Sequence, residues 1–409
     1  MNIGLFDDSG WQRLLPLTWL RSACELRCGC DRLVDKVRTH VGRNLAALWT
    51  RPELAHLAAA RIGLESPDPV ADWCAVNARV LVTADVRPPP PGVAWRTPEA
   101  LLAVGVRAAD RERLDAALFL DDARLEDWLR GYRTELPPRG VHLINHPWDL
   151  IHANAHELAR QCREGGVRDG RIFTGAHLLH PGEIHVATGA VVKPGAVLDA
   201  ELGPIHVAED AVIQPNAVLE GPCYVGPRSL VRPGAVLRAG TSLGPVCRVG
   251  GEVAATIFQG YANKQHEGYL GHSYIAEWVN LGAATVTSDL KNTYGTIRVY
   301  VNGVGVESGR HFIGAIIGDH SKTGIGTLLP TGAVIGVASN VFTRGAVPKF
   351  VPSFAWLTDD GLTAYRVDKA LDIARTVMAR REQELSEPLA RLLEHVAQAA
   401  RTIESAGWL

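Results

Sequence analysis

The sequence predicts an α/β unit, then a left-handed parallel β-helix built from hexapeptide repeats, then a C-terminal helical segment. Three observations carry this. An aliphatic side chain recurs every six positions from Val207 through Ile213, Leu219, Val225, Val231, Leu237 and Leu243 to Val249, without a miss. Gly and Pro punctuate the intervals, as in VVKPGAVL, VIQPNAVLEG and VRPGAVLRAG. The chain before the repeat has a different texture, with short strand-like runs among helix-like ones.

The repeat decides the fold. A helix would space its apolar residues by 3.6 and a plain strand would alternate them. A six-residue period with turn residues instead fits three short strands per coil, each unit supplying one side and its corner. Eight consecutive hits are improbable by chance when about half of all residues are apolar. Val186, Val192 and Leu198 share the period, with a slip of three before Val207. A second register runs through Ile317, Thr323, Leu329, Ile335 and Val341, and Tyr269, Ile275 and Leu281 fall in its phase. The β-helix is therefore expected over 170–352.

Residues 1–165 are expected to form the α/β domain. Asn2 to Phe6, Val80 to Thr83 and Ala117 to Leu120 read as strands, Ala153 to Cys162 as helix, and the prolines at 88–91 as a loop. Residues 353–409 form the C-terminal segment, helical from Leu362 to about Ser405. Leu371, Ala374, Met378, Leu385, Leu389, Leu392 and Val396 give it an apolar face, interrupted at Pro388. Its expected role is to cover the bare edge that ends a solenoid, or to pack on a neighbouring subunit.

With 409 residues, more than one domain is expected. A formal net charge of −2 argues against a nucleic-acid partner and against a polybasic membrane surface. No apolar run approaches the roughly 20 residues that span a bilayer. MNIGLFDDSG carries acids where a secretory signal would be basic, so a cytoplasmic protein is expected. Seven cysteines are scattered, with one cluster at Cys24, Cys28 and Cys30. No second pair follows at zinc-site spacing, and free thiols are the simpler reading.

Chemistry concentrates in KQHEGYLGHSYIAEWVNLGAATVTSDLKNTYG, Lys264 to Gly295. A structural coil does not need His266, Tyr269, His272, Tyr274, Asn280, Asp289, Lys291, Asn292 or Tyr294. Ala283 and Ala284 add a small-residue stretch where a cofactor can lie close. The segment resembles the acetyltransferase domain of the bifunctional N-acetylglucosamine-1-phosphate uridylyltransferase/glucosamine-1-phosphate N-acetyltransferase family. That family has a catalytic histidine, a tyrosine three residues later, and an asparagine fourteen after the histidine within V-N-I-G-A-G-T. Here His266, Tyr269 and Asn280 within VNLGAAT match without a gap. Arg232 in VRPG stands where the family's arginine grips the sugar phosphate. Glu252 stands where it has a glutamate. The family's following lysines are replaced by Ala254 and Ala255.

The amino-terminal domain resembles sugar-nucleotide pyrophosphorylases more loosely. FDDSGWQRLLPLTWLR occupies the place of their G-x-G-T-R-L-x-P-L-T loop, keeping Pro16-Leu17-Thr18 and losing the phosphate-cradling glycines. HPWDLIHANAHEL at 146–158 is similar to their W-x-D…L-x-x-A-N pattern. The whole chain looks most like the alternative bacterial branch of the bifunctional family, whose nucleotidyltransferase half is divergent.

The resemblance implies an α/β nucleotidyltransferase-like domain ahead of the β-helix. It also implies direct acetyl transfer from acetyl-CoA, with His266 as general base, Asn280 stabilising the oxyanion, Tyr269 bonding the sugar and Arg232 its phosphate. In the first domain Asp7, Asp8 and Asp149 become candidate Mg²⁺ ligands, and Asp8, Arg13 and Arg21 candidate substrate contacts for a sugar phosphate and UTP or dTTP. Nucleotidyl transfer is expected to be weak, because two carboxylates replace the glycines. A homotrimer with CoA between neighbours is expected. Three other readings remain open. One is a zinc β-helix enzyme of the γ-carbonic-anhydrase kind, which His266, His272 and His320 fit poorly. The second is a nucleotidyltransferase with a purely structural β-helix, and the third a non-catalytic trimer that senses a sugar nucleotide.

Overall fold

The computed structural model describes residues 1–162 and 166–408. The chain divides into two units. The first comprises 1–14, 18–26 and 31–146; the second comprises 15–17, 27–30 and 147–409. The expected boundary residue 165 lies outside the described residues. The helix Pro147–Gln161 belongs with the second unit. Its buried Asn154 side chain explains why: the amide donates to Gly240 O at 2.7 Å, and its oxygen accepts from Gly29 N at 2.6 Å.

The first unit is an α/β sandwich around a six-stranded sheet. Strand order is Leu45–Trp49, Asn2–Phe6, Trp73–Asn77, Leu101–Val106, Val93–Arg96 and Arg133–Glu135. The first three strands run parallel, and Leu101–Val106 is antiparallel to Trp73–Asn77. Asn2–Phe6 is buried along its whole length, as a central parallel strand should be. Val80–Val82 is a strand as expected, paired with Val141–Leu143. Ala117 to Leu120, expected as a strand, lies in the helix Ala116–Leu120. Asp115 caps it by accepting from Leu118 N at 2.6 Å, and Phe119 stacks on Phe6 at 4.2 Å. An apolar run this short carries no period that separates strand from helix.

The second unit is the parallel β-helix. One face is a continuous sheet of nine strands, and the other two are sheets of six strands that give way to shorter sheets in the last coils, each strand pairing with its equivalent one coil away. Val207, Ile213, Leu219, Val225, Val231, Leu237, Leu243 and Val249 are all fully buried in one continuous core. The slip before Val207 is a longer corner between Val197–Asp199 and Ile205–Val207. Tyr269 is not in the inward phase. Glu252 pairs with Tyr269 and Val253 with Leu270, so Leu270 points inward and Tyr269 outward. The reason is a shortened side: Val253 and Phe258, and again Leu270 and Ile275, are only five positions apart. An inserted hairpin, Arg298–Val301 with Val304–Glu307, lies within the second register, between Leu281 and Ile317, and an antiparallel bridge between Leu290 and Phe312 closes its base.

The corner from the nine-stranded face to the next requires left-handed backbone. Val246, Tyr261, Trp278, His320 and Ala338 all have φ between +52° and +62°. Non-glycine residues adopt that region at a cost, and the regular corner imposes it once per coil. A consequence is a ladder of rings: Tyr261 stacks on Trp278 at 4.5 Å and Trp278 on His320 at 6.1 Å.

The C-terminal segment begins with a strand, Gly361–Ala364, antiparallel to Ala355–Thr358, where helix was expected. Helices Val367–Ala379 and Glu387–Ile403 follow. The break lies at 380–386, and Pro388 sits in the first turn of the second helix, where its missing N–H leaves nothing unsatisfied. This segment docks on the last coils. Glu404 accepts from Ser353 N at 2.6 Å and from its hydroxyl at 3.0 Å. No described helix is long and apolar enough to cross a membrane.

Candidate functional site

Coil geometry brings His266 to a corner between two faces of the β-helix, between Asn263–Lys264 and Tyr269–Gly271. Its ring is exposed and makes no hydrogen bond among the described residues. Lys264 props this corner from inside. It takes an inward position and donates to Gly250 O at 2.9 Å and His266 O at 2.8 Å. Burial pushes its ammonium down to about 8. The corner of the next coil is Gly282 to Ala284, tied on by Ala284 N donating to Glu267 O at 3.0 Å. Ala284 is thus joined through its backbone to the residue after His266. Arg232 lies on the same corner two coils below, its guanidinium unpaired among the described residues.

Tyr269 and Asn280 lie on different faces of the prism, with His266 at the corner between them. Asn280 bridges Asn263 and Lys322 on one face. Tyr269, on the other, donates its hydroxyl to Asp289 Oδ2 at 2.8 Å. The same oxygen meets His272 Nδ1 at 2.8 Å. Burial opposes ionisation of Asp289, and the contacts from His272 and Tyr269 outweigh it, holding the carboxyl below its ordinary value. Burial and the neighbouring carboxylate push the Tyr269 phenol up. Gly271 makes room for this cluster: a Cβ there would lie 2.2 Å from Asp289 Oδ2 and 2.3 Å from the Tyr269 hydroxyl.

His272 is also covered. Its ring stacks on Phe312 at 4.9 Å, and His152 lies 6.4 Å away. His152 Nε2 is buried without a partner, and burial followed by the repulsion of Arg310 and His272 lowers its pKa. Asp289 and Phe312 stand at the two ends of the inserted hairpin. The pairing of His272 with Asp289 was therefore not legible from spacing, although both residues belong to the polar segment. Glu252 Oε1 accepts from Arg238 at 2.6 Å, and Arg238 also reaches Glu220. Glu252 keeps only Oε2 for a ligand.

In the first unit, Asp7 and Asp8 follow the C-terminal end of Asn2–Phe6, where α/β sheets bind ligands. Asp7 is fully buried and accepts from Ser22 Oγ at 2.9 Å, from Ala23 N at 3.2 Å and from Thr50. Burial outweighs Arg51 and these bonds and raises its pKa. Asp8 is bound by Arg79 through Nε at 2.8 Å and Nη2 at 2.5 Å, by Asn77 at 2.8 Å and by Gly10 N at 3.1 Å. Asp149 belongs to the other unit. Of the expected Mg²⁺ ligands, Asp7 and Asp8 are both engaged by protein donors, and no group of three metal-ligating side chains occurs among the described residues. Gly10 serves the Arg79 guanidinium, which a Cβ would meet at 2.4 Å. Arg21 is buried, and its carbonyl accepts from Arg51. Asp8 and exposed Arg13 do line one cavity of about 230 Å³, with Arg79, Arg96, Asp122 and Glu126. Ion pairs between Arg96 and Glu126, and between Arg79 and Asp8, hold most of its charge internally.

All seven cysteines are free thiols, and no group of three metal-ligating side chains that includes Cys24, Cys28 or Cys30 occurs among the described residues.

Residues 3–163 match the family model described as sugar nucleotidyl transferase. Stretches of the chain are similar to bifunctional sugar nucleotidyl- and acetyltransferases. A bifunctional sugar-1-phosphate nucleotidylyltransferase/acetyltransferase of Sulfurisphaera tokodaii is 34% identical over 100 residues, 24% of this chain and 25% of that one. The bifunctional protein GlmU of Methanococcus vannielii is 32% identical over 111 residues, 27% of each. The matches thus span about a quarter of the length of these relatives. The structure of LpxA from Acinetobacter baumannii aligns at 13% identity over 57% of this chain and 96% of that one, with a TM-score of 0.26. So low a score informs neither fold nor function.

The Asp289 cluster has a pH signature. A depressed carboxyl contributes stability that is full above its unfolded value of about 3.9 and is lost as pH falls through the lower folded value. Asp289→Asn should therefore be less stable than the parent at neutral pH, and the gap should close below that window. Denaturant titration of both proteins from pH 6 to 2 checks this, and a pH-independent gap would contradict it.

Proposed function

We propose that the β-helix is an acetyl-CoA-dependent N-acetyltransferase acting on an amino-sugar phosphate or amino-sugar nucleotide. The observation that carries this reading is the His266 corner: an unpaired imidazole one coil from Ala283-Ala284, with Arg232 free two coils below. His266 takes the proton of the ammonium, whose nitrogen then attacks the thioester carbonyl. Asn280 stabilises the oxyanion that forms. The C–N bond is made, the C–S bond breaks, the thiolate takes the proton back from His266, and the second proton that the nitrogen sheds in becoming an amide leaves to solvent. Arg232 grips the phosphate through its guanidinium fork, and Tyr269 and the free Glu252 oxygen bond the sugar. The alanines admit acetyl-CoA.

A specific observation favours a second base. His272 alone among these imidazoles has its tautomer set by a carboxylate, which leaves Nε2 as the acceptor. A panel of amino-sugar phosphates with acetyl-CoA, read by thiol release, tests both. His266→Ala should lower turnover by roughly 10²-fold or more and leave the fold intact. If His272→Ala has that effect and His266→Ala has none, the base is His272; silence of both removes the histidines from the reaction.

Because Tyr269 and Asn280 occupy different faces, the site is completed by a neighbouring copy in a homotrimer. Sedimentation at micromolar concentration should give a trimer, and a monomer would count against a shared site.

The first unit is, in this reading, a divergent sugar-1-phosphate nucleotidyltransferase domain in which Arg13 meets the phosphates of UTP or dTTP at the Asp8 cavity. With Asp7 and Asp8 engaged by protein donors, pyrophosphate release with Mg²⁺ and a sugar-1-phosphate should be weak or absent. Robust turnover that vanishes in Asp8→Asn would overturn this.

A further inference from the structure

The second unit holds a cavity of about 230 Å³ that none of the assigned roles uses apart from Asn280 at its edge. Arg248 and Lys322 line it from the coils. Arg380 and Arg381 line it from the turn after helix Val367–Ala379. Gln265, next to His266, and Asn280 complete its polar wall, and the Tyr261–Trp278 ladder forms another side. No lining residue is acidic.

Four cations around one cavity repel one another. None of the four is ion-paired among the described residues. Arg381 donates to Asn263 Oδ1 at 2.9 Å and Lys322 to His320 O at 2.7 Å, so both are held in place by neutral acceptors. Burial lowers the Arg381 pKa, and Arg248 and Arg380 lower it further. Burial also brings Lys322 down to about 8. Solvated surface arginines spread apart; here packing gathers them beside amides, with more room than the roughly 30 Å³ share of one water. A multiply charged anion with oxygen acceptors relieves the repulsion and matches the guanidinium forks.

We propose that this cavity is a binding site for a di- or polyphosphate group. The placement of Gln265 and Asn280 joins it to the His266 corner. Two sources carry that chemistry: the phosphates of CoA and the pyrophosphate of a nucleotide or sugar nucleotide. The site stands apart from the acetyl-transfer reading, since it rests on charge and geometry alone.

The test is calorimetric titration of the full chain with inorganic pyrophosphate, CoA and UDP at low salt. Pyrophosphate should bind and weaken with added salt. Arg248→Gln and Arg381→Gln should each weaken it by roughly tenfold or more, the usual effect of losing a charged hydrogen bond. Arg380→Gln, at an exposed position, should weaken it without touching the fold, which a melting curve verifies. Competition by CoA assigns the site to the acyl donor and competition by UDP to a nucleotide, and either supports the proposal. Failure of all three ligands to bind at millimolar concentration would overturn it, as would unchanged affinity in the three variants. Loss of binding in the variants with no acetyl transfer in any protein would sink the transferase reading and leave this site standing. Normal turnover with normal binding in the variants would do the reverse.

Discussion

Everything outward on the second unit depends on what stacks inward. One side chain per strand enters the β-helix core, and each sits on its equivalents in the coils above and below. Burying a valine or leucine fully contributes about 1.5–3 kcal/mol, and the ladder hydrogen bonds between coils fix the register in which it happens. A solenoid has only nearest-neighbour contacts. Position along the chain therefore translates into face and height with little freedom. Once Val253, Phe258, Lys264 and Leu270 are inward, His266 has to be at a corner and Tyr269 on a face.

Lys264 shows how the core and the site are coupled. An aliphatic residue would serve the stack, yet the ammonium there binds two carbonyls of one corner, Gly250 from the coil below and His266 from its own. The inserted hairpin is the second device. It costs the solenoid nothing in register, since it leaves and returns at one point, and its two ends deliver Asp289 and Phe312 onto His272. Gly271 is the third, because only a missing side chain lets Tyr269 and Asp289 meet where they do.

These devices mark the limit of what the sequence reveals. The β-helix was legible because a six-residue period survives in the residues themselves. Tyr269 was misplaced by one position because two shortened sides shift the phase without any turn residue to announce them. His266 and Asn280 stood out by spacing along one continuous coil. The His272–Asp289 contact spans an insertion and the four-cation cavity joins coil to helix, and neither arrangement has a linear signature. In the first unit Asp7 and Asp8 looked like metal ligands, because a carboxylate in sequence does not disclose its donors. The structure shows Ser22, Thr50, Asn77 and Arg79 already bound to them. Asn154, in the pattern that resembled the end of a nucleotidyltransferase domain, is a packing residue of the other unit.

The central claim is that the corner at His266 is where an acyl thioester and an amino-sugar phosphate meet. A crystal structure of the chain with CoA and glucosamine-1-phosphate bound tests it most directly. The account predicts the thiol beside Ala283-Ala284, the sugar amine within hydrogen-bond reach of His266, or of His272 should that be the base, and the sugar phosphate at Arg232. Both ligands bound on a face that carries none of these residues would contradict it.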